Sequence, residues 1–168
     1  MRRISKVAFG LAAATASACL PATAPIDPDA IRLPEERLTL VAGNSIGAIF
    51  IAPDSLKWTG RTADVLVYKF LVPGSPIGNG KVVVEEVDLK RFDCDAQTYQ
   101  DLASAGFDSA GANIVSMPEE QAKPIRERTM TSRLAGVICG RVQLPPSNTA
   151  KDRATAKAMA LQALSTAR

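Results

Sequence analysis

Alternation of apolar and polar residues predicts that most of the chain forms short β-strands. Branched apolar residues fill segments 38–42 and 46–51, and Gly43-Asn44-Ser45 separates them. Two such runs around a short Gly- and Asn-containing segment are typical of a β-hairpin. The folded part of the chain is therefore predicted to begin with two paired strands.

A third strand, at residues 64–72, carries apolar side chains on both faces. Val65 and Val67 point one way and Tyr68 and Phe70 the other, because successive side chains of a strand alternate between faces. A strand that buries both faces lies inside a sheet. We therefore expect a central position, with a helix or a curled neighbouring strand over the second face.

The longest predicted strand covers residues 81–94, and its apolar pattern changes phase at Glu85-Glu86. Val84 shares a face with Phe92, whereas Val83 and Val87 share the other face. Such an interruption is typical of a bulge or a sharp bend. The strand is therefore predicted to curl around a small core.

Two further strands and two helices complete the predicted fold. Strands at residues 98–105 and 112–117, joined by a turn at 108–111, extend an antiparallel meander to about six strands. Ser132 is expected to open a short helix that ends at Gly140. An Ala-rich helix is predicted at residues 148–166, with a thin apolar stripe. The stripe consists of Ala154, Ala158, Leu161 and Leu164. The predicted fold class is α+β, a small curved antiparallel sheet with one short helix and a C-terminal helix.

Residues 1–18 have the pattern of a bacterial secretory signal peptide. Basic residues at 2, 3 and 6 precede the apolar run 7–18, which ends in Ala16-Ser17-Ala18. The run is too short for a membrane span, which needs about 20 apolar residues. The protein is therefore expected to be exported, to the periplasm or the outer membrane, without a transmembrane span.

Cys19, directly after that pattern, is a candidate lipidation site. The segment Ala16-Ser17-Ala18-Cys19 resembles a degenerate lipobox, with Ala16 where Leu is usual. Lipidation would anchor the protein by acyl chains, whereas ordinary cleavage nearby would leave it soluble, and both alternatives remain open. Residues 19–36, which contain four prolines, are predicted to form an extended tether.

Composition favours one globular domain and excludes several function classes. The 168 residues are 46% hydrophobic and 22% charged, as in an ordinary globular protein. The net charge of +3 comes from residues 2, 3 and 6 of the leader, so the remainder is neutral and nucleic-acid binding is disfavoured. The chain has no histidine, so it lacks the commonest general base and metal ligand.

Cys94 and Cys139 are predicted to form a disulfide bond. They are the two cysteines left once Cys19 is removed or lipidated, and an even number in an exported protein indicates a bridge. Two unpaired buried thiols are the alternative. A zinc site is excluded because two cysteines without histidine cannot complete it. Closing this loop would stabilise the fold by about 4 kcal/mol.

Two motifs suggest chemistry without specifying it. Residues 43–47 match G-x-S-x-G, but the hydrolase mechanism needs a histidine; only a Ser-Lys variant remains open. Glu86 and Asp88 share a strand face, and with Glu85, Asp93 and Asp95 they could serve glycoside hydrolysis or bind calcium. A solvated, charged strand face is the alternative interpretation.

A basic cluster follows the last predicted strand. It consists of Lys123, Arg126, Arg128 and Arg133. The cluster could meet an acidic glycan or a phosphate, or it could form an exposed loop balanced by nearby glutamates. We predict no catalytic, cofactor-binding or metal-ligating residue from these patterns.

Residues 48–140 resemble the surface-adhesin protein E family of bacterial envelope proteins. The matching features are residues 49–56 followed by a strand, Asp93-Cys94 at a strand end, residues 107–111, and a short helix ending Val137-Ile138-Cys139. The resemblance implies a small antiparallel sheet with a disulfide-tied helix and, for some members, adhesion to host extracellular-matrix proteins. It carries no binding residue across to this chain.

Together these predictions give four segments and one leading function. Residues 1–18 form the signal peptide, 19–36 the tether, 37–142 the adhesin-like domain and 143–168 a linker and helix. The leading hypothesis is an exported, non-enzymatic envelope protein that binds a protein or glycan partner. The alternatives are a small envelope hydrolase that uses carboxylates and a structural envelope component.

Overall fold

A computed structural model of the protein describes residues 26–166, which form one nine-stranded sheet and two α-helices. The strands, all antiparallel to their neighbours, are β1 (Leu38–Asn44), β2 (Gly47–Ile51), β3 (Lys57–Thr59), β4 (Thr62–Pro76), β5 (Val82–Asp93), β6 (Thr98–Phe107), β7 (Asn113–Met117), β8 (Lys123–Pro124) and β9 (Thr149–Ala150). The helices are α1 (Met130–Ile138) and α2 (Arg153–Thr166).

The sheet is open, and its strand order is β7-β6-β5-β4-β2-β1-β9, with β3 beside β4 and β8 beside β6. The α+β class, the antiparallel sheet and the two helices are confirmed, but the prediction of about six strands was wrong. The additional strands β3, β8 and β9 contain two or three residues each. Such short strands have too few positions to show alternation, so only their neighbours reveal them.

The predicted hairpin is formed by β1 and β2. The side-chain oxygen of Asn44 accepts hydrogen bonds from the backbone N–H groups of Ile46 and Gly47, at 3.0 and 3.2 Å. Asn commonly stabilises turns by bonding backbone groups two residues on. Ser45, the serine of the G-x-S-x-G match, therefore lies in a hairpin turn.

Strand β4 is central, as predicted, and each of its faces contributes to a separate core. Val65 and Val67 are buried in the core beneath α1, whereas Tyr68 is buried in the core beneath α2. We call these two sides of the sheet the α1 face and the α2 face. Alternation along one strand thus supplies both cores.

The irregularity predicted near Glu85-Glu86 is present, and β4 contributes to it. Phe70 pairs with Glu85, but the next pair is Ser75 with Val83, so residues 71–74 bulge out of β4. The bulge contains Gly74, whose φ of 106° is a conformation that favours glycine. The bulge forms one wall of the cleft described below.

Helix α1 is fixed to the sheet by a covalent bond and by apolar contacts. The disulfide between Cys94 and Cys139 spans 5.7 Å between Cα atoms, and Leu134 and Ile138 are buried in the core of the α1 face. The predicted disulfide is therefore formed. The helix begins two residues earlier than expected, because Thr129 is its N-cap and Ser132 completes a capping box with it.

Helix α2 differs from its prediction in both start and orientation. It begins at Arg153, after the Asp152 side chain accepts a hydrogen bond from the Thr155 N–H at 2.8 Å. Of the predicted stripe only Leu164 is buried; the helix packs through Ala156 and Ala160 instead. The remaining stripe residues, Ala154, Ala158 and Leu161, are exposed. In an Ala-rich helix several faces look equally apolar, so the sequence did not identify the packed one.

The segment before β1 contributes to the core of the α2 face. Residues 28–30 form one turn of 3-10 helix, and Ile31 is 7% exposed and packs into that core. Part of the segment predicted as a tether is therefore docked on the sheet. The predicted signal peptide and Cys19 lie outside the described residues.

Candidate functional site

An apolar cleft with a volume of about 500 Å³ lies beside the bulge of β4. Such a volume is typical of ligand sites, which are mostly apolar with few polar groups. Most of its wall comes from the β4 bulge and from the strand edge formed by β7. The lining residues are Ile46, Leu71, Val72, Pro73, Gly74, Ser75, Pro76, Ile77, Val83, Glu86, Gly106, Val115 and Met117. We call this feature the apolar cleft.

Gly106 of β6 lines the apolar cleft and allows two other lining residues, Val83 and Val115, to approach closely. A Cβ atom at this position would lie 2.6 Å from a Val115 methyl, which is too close for two carbon atoms, and 3.0 Å from a Val83 methyl, which is a tight contact. The missing side chain lets the valines of β5 and β7 approach over β6. A glycine in a strand often marks such a close approach.

Two large apolar side chains at the apolar cleft are unusually accessible. Ile46 is 65% exposed and Met117 is 41% exposed, and they come from the β1–β2 turn and from the end of β7. Their positions on the cleft lining make them parts of a continuous apolar surface rather than scattered residues. Contiguous exposed apolar surface of this kind is typical of interaction sites.

Glu86 is the only ionisable residue among those that line the apolar cleft in the described part of the chain. Its Oε1 accepts a hydrogen bond from Lys69 Nζ at 2.5 Å. Burial and the negative charge of Asp88 raise the pKa of Glu86, against the opposing effect of Lys69. The cleft thus combines an apolar wall with one carboxyl group whose ionisation is sensitive to its surroundings.

Glu86 belongs to a group of charged side chains that we call the Asp88 cluster: Lys69, Glu86, Asp88, Lys90 and Asp101. Asp88 is 1% exposed, and its Oδ2 lies 2.7 Å from Lys69 Nζ and 3.0 Å from Lys90 Nζ. Lys90 also pairs with Asp101. Burial alone would raise the pKa of Asp88, but the two lysines lower it well below the ordinary value. Asp88 therefore remains ionised.

The Asp88 cluster places both carboxylates of the hydrolase hypothesis together, as strand alternation predicted. Lys69 Nζ contacts both Glu86 and Asp88. Only Glu86 lines the apolar cleft, however, whereas Asp88 is buried and is not part of the lining. Glycoside hydrolysis by paired carboxylates needs two groups that flank the scissile bond. This arrangement offers one accessible carboxyl group instead.

A second buried carboxylate, Glu85, lies on the α2 face. Its Oε2 accepts a hydrogen bond from the Tyr68 hydroxyl at 2.8 Å, and it pairs with Lys157 and, at 3.8 Å, with Arg153 of α2. Burial, then the hydrogen bond and charge of Glu85, raises the pKa of Tyr68. These contacts attach α2 to the sheet.

The other acidic candidates have local structural roles. Asp93 Oδ1 accepts hydrogen bonds from the N–H groups of Asp95 and Ala96, and Asp95 pairs with Arg61 at 2.9 Å. These contacts organise the β5–β6 turn. Within residues 26–166 no three His, Cys, Asp or Glu side chains are grouped to hold a metal ion.

The structure brings together only two of the four residues of the predicted basic cluster. Lys123 pairs with Glu120, whereas the Arg133 Nε donates to the Val41 carbonyl at 2.7 Å and ties α1 to β1. Arg126 and Lys123 line one surface pocket near the start of α1, whereas Arg128 is an exposed residue with a φ of 60°. These four residues do not form one basic surface patch.

Sequence reasoning did not identify the apolar cleft. The predicted third strand ends at residue 72, whereas β4 continues to Pro76 and its bulge forms a wall of the cleft. The available signal was Gly106, a glycine inside an apolar strand, which marks close approach of neighbouring residues. Nothing in the sequence indicated that Ile46 and Met117 line the same cleft.

Comparisons with protein-family models, curated proteins and solved structures give no match for this chain. The resemblance to the surface-adhesin protein E family therefore stays a prediction. Within the described part of the chain, neither helix has the length and apolar character of a membrane span. The apolar cleft and the strand edge beside it are the features on which a function can be argued.

Proposed function

We propose that the protein is an exported, non-enzymatic binding protein of the bacterial cell envelope, of surface-adhesin type. It captures an extended segment of a partner protein at the apolar cleft and along the neighbouring edge of β7. The observation that carries this proposal is the position of Val115 and Met117, which line the cleft and belong to the edge strand of the sheet.

Strand β7 provides the backbone part of the binding surface. It is the last strand in the sheet order and pairs with β6 along one side. The backbone groups on the other side of an edge strand are available to pair with an added strand. Extended peptides bind to such edges through main-chain hydrogen bonds, and adjacent pockets receive alternate side chains. A partner strand on β7 would run beside the apolar cleft.

The lining of the cleft favours a protein over a glycan partner. Apart from Glu86 and Ser75, its side chains are apolar or absent. A glycan would bring many hydroxyl groups that this wall cannot hydrogen-bond, and unpaired buried polar groups are costly. An apolar or partly apolar side chain would instead cover Ile46 and Met117.

The sealed position of Asp88 favours binding over hydrolysis. The two lysines stabilise the ionised form of Asp88, and removing one partner of a buried ion pair is strongly destabilising. Protonating Asp88 therefore costs more free energy than protonating an unpaired surface carboxylate. Asp88 is for this reason poorly suited to exchange protons with a substrate. Glu86 alone cannot supply the acid and base pair.

Export is supported by the leader pattern and by the disulfide. Disulfides persist in oxidising compartments such as the periplasm and are rare in the cytosol. Cys19 is proposed as the site of a lipid anchor, with a soluble periplasmic form as the alternative. The mass of the intact mature protein separates these outcomes, because acylation at Cys19 adds the mass of its acyl chains.

Site-specific photo-crosslinking in intact cells tests the binding surface. A photoreactive residue replaces Met117 at the cleft or, as a matched control, Lys57 on the exposed strand β3. The proposal expects a defined protein crosslink from position 117 and none from 57. Equal crosslinking from both positions, or none from 117, would refute the proposed surface.

A further inference from the structure

We propose that the partner segment inserts a lysine or arginine side chain into the apolar cleft, with its aliphatic stem on the cleft wall and its charged head against Glu86. This inference rests on the proposed function and specifies the partner. It follows from three properties of the cleft: the charge balance of the adjoining Asp88 cluster, the accessibility of one carboxylate, and the apolar character of the wall.

The charge balance of the Asp88 cluster favours a cation. The cluster contains three carboxylates and two ammonium groups, so one negative charge is left when all are ionised. Lys90 lies between Asp88 and Asp101, and Lys69 lies between Asp88 and Glu86. An additional positive charge next to Glu86 would neutralise the cluster, whereas an anion would add a fourth negative charge.

Glu86 is placed to contact that cation. Its side chain is 23% exposed, compared with 1% for Asp88, and it lines the apolar cleft. A carboxylate can accept several hydrogen bonds, so the bond from Lys69 does not exhaust Glu86. In this partly desolvated position a charge-assisted hydrogen bond is stronger than the same contact at an open surface.

The wall of the cleft suits the stem of a long basic side chain. Lysine and arginine bury three or four methylene groups along apolar surfaces while their heads reach polar groups. Here Ile46 and Met117 would cover the stem. An apolar anchor of the same length would bury Glu86 without a new partner, which costs free energy. The site therefore discriminates in favour of a basic anchor.

Peptide selection provides the test. A display library of random peptides is selected on the disulfide-bonded mature chain and on two variants, Glu86→Gln and the double variant Ile46→Ser/Met117→Ser. Circular dichroism first establishes that both variants keep the wild-type fold. On wild type we expect enrichment of peptides that carry one Lys or Arg between apolar or β-branched residues.

Affinities measured by fluorescence polarisation then isolate the contact. Replacing the basic residue of the best peptide by norleucine should weaken binding to wild type about tenfold, which corresponds to about 1.4 kcal/mol. The same replacement should change binding to Glu86→Gln by less than about twofold, because the charge partner is already gone. This double-mutant cycle assigns the discrimination to Glu86 itself.

The outcomes separate the inference from the proposed function. Selected peptides that need the Ile46 and Met117 side chains but lack a basic residue would overturn the inference and leave the binding surface intact. Basic peptides that bind Glu86→Gln as tightly as wild type would also overturn it. Peptides that bind the double Ser variant as well as wild type, or no enrichment on wild type, would refute both.

Discussion

The two faces of the sheet neutralise a buried carboxylate in different ways. Each face buries one carboxylate of β5, Asp88 on the α1 face and Glu85 on the α2 face. The partners of Asp88 are Lys69 and Lys90, which both belong to the sheet. Those of Glu85 on the α2 face include Lys157, which belongs to helix α2.

Because of this difference, the two helices are attached to the sheet by different interactions. On the α2 face the charge of Glu85 is balanced by Lys157 and Arg153 of the helix, so undocking α2 would remove both cationic partners of this carboxylate. On the α1 face the sheet balances Asp88 itself, and the covering helix is held by the disulfide and by Leu134. The apolar cleft adjoins these charges, because Glu86, which shares Lys69 with Asp88, is one of its lining residues.

The largest expected effect comes from removing the covalent attachment on the α1 face. The double variant Cys94→Ser/Cys139→Ser opens a loop with a sequence separation of 45 residues and should lower the free energy of unfolding by about 4 kcal/mol. Urea unfolding followed by tryptophan fluorescence and circular dichroism measures the loss. The chemically reduced wild-type protein is the matched control. A loss below about 1 kcal/mol in both would contradict the assigned role of the disulfide.

The next effect concerns the carboxylate of the α1 face. Asp88→Asn leaves Lys69 and Lys90 without their shared anion, and we expect a loss of about 3 kcal/mol at neutral pH, since breaking a buried ion pair on one side is strongly destabilising. Asp101 and Glu86 still contact the lysines and limit the loss. Denaturant unfolding measures the change.

The pH dependence of the same variant sharpens the comparison. The two lysines hold the pKa of Asp88 below its ordinary value of 3.8, so its contribution to stability is present above that pH and is lost as pH falls further. The difference between wild type and Asp88→Asn should shrink below pH 3.8. A difference that grows towards acid would be inconsistent with an ionised Asp88.

The α2 face should respond with a smaller, more local change. Glu85→Gln keeps a hydrogen-bond acceptor for Tyr68 but removes the charge that attracts Lys157 and Arg153, so a loss of about 2 kcal/mol is expected. Both helix side chains are partly exposed and can return to water. Amide hydrogen exchange should accelerate in α2 and not in α1. Uniform acceleration over both helices would argue against separate attachment.

The sequence predicted the features of the two faces that depend on neighbouring residues and, apart from the disulfide, it missed those that depend on contacts between distant segments. Alternation within β4 predicted a central strand with two buried faces, because that pattern is local. Cys94 and Cys139 were paired correctly because cysteine counting leaves one choice. The packed face of α2 was predicted wrongly, because Ala156 and Ala158 are equally apolar and only the sheet selects between them.

The candidate site was predicted only in part. Alternation placed Glu86 and Asp88 on one face, but the sequence did not reveal that Lys69 and Lys90 would neutralise Asp88. Those contacts depend on the register between β4 and β5, which the bulge of β4 interrupts. Register is a property of two strands and of the irregularities between them, so single-strand patterns do not determine it.

The smallest expected effect is that of Glu86→Gln, and its sign distinguishes the two carboxylates of the α1 face. Burial and Asp88 raise the pKa of Glu86 above its ordinary value of 4.5, so the folded protein holds this proton more tightly than the unfolded chain does. The contribution of Glu86 to stability is therefore present below pH 4.5 and is lost as pH rises through the raised pKa.

Glu86→Gln lacks that loss, so relative to wild type the variant should gain stability between about pH 4.5 and neutrality, by up to about 1 kcal/mol. This trend is opposite in sign to that of Asp88→Asn. Unfolding in urea at several pH values measures it, and Glu127→Gln at an exposed position is the matched control. If the variant becomes less stable relative to wild type as pH rises, Glu86 stabilises the fold as an anion, as Asp88 does. The ionised Glu86 side chain would then not be destabilised by Asp88, and an added cation would have no unfavourable charge to neutralise at the cleft.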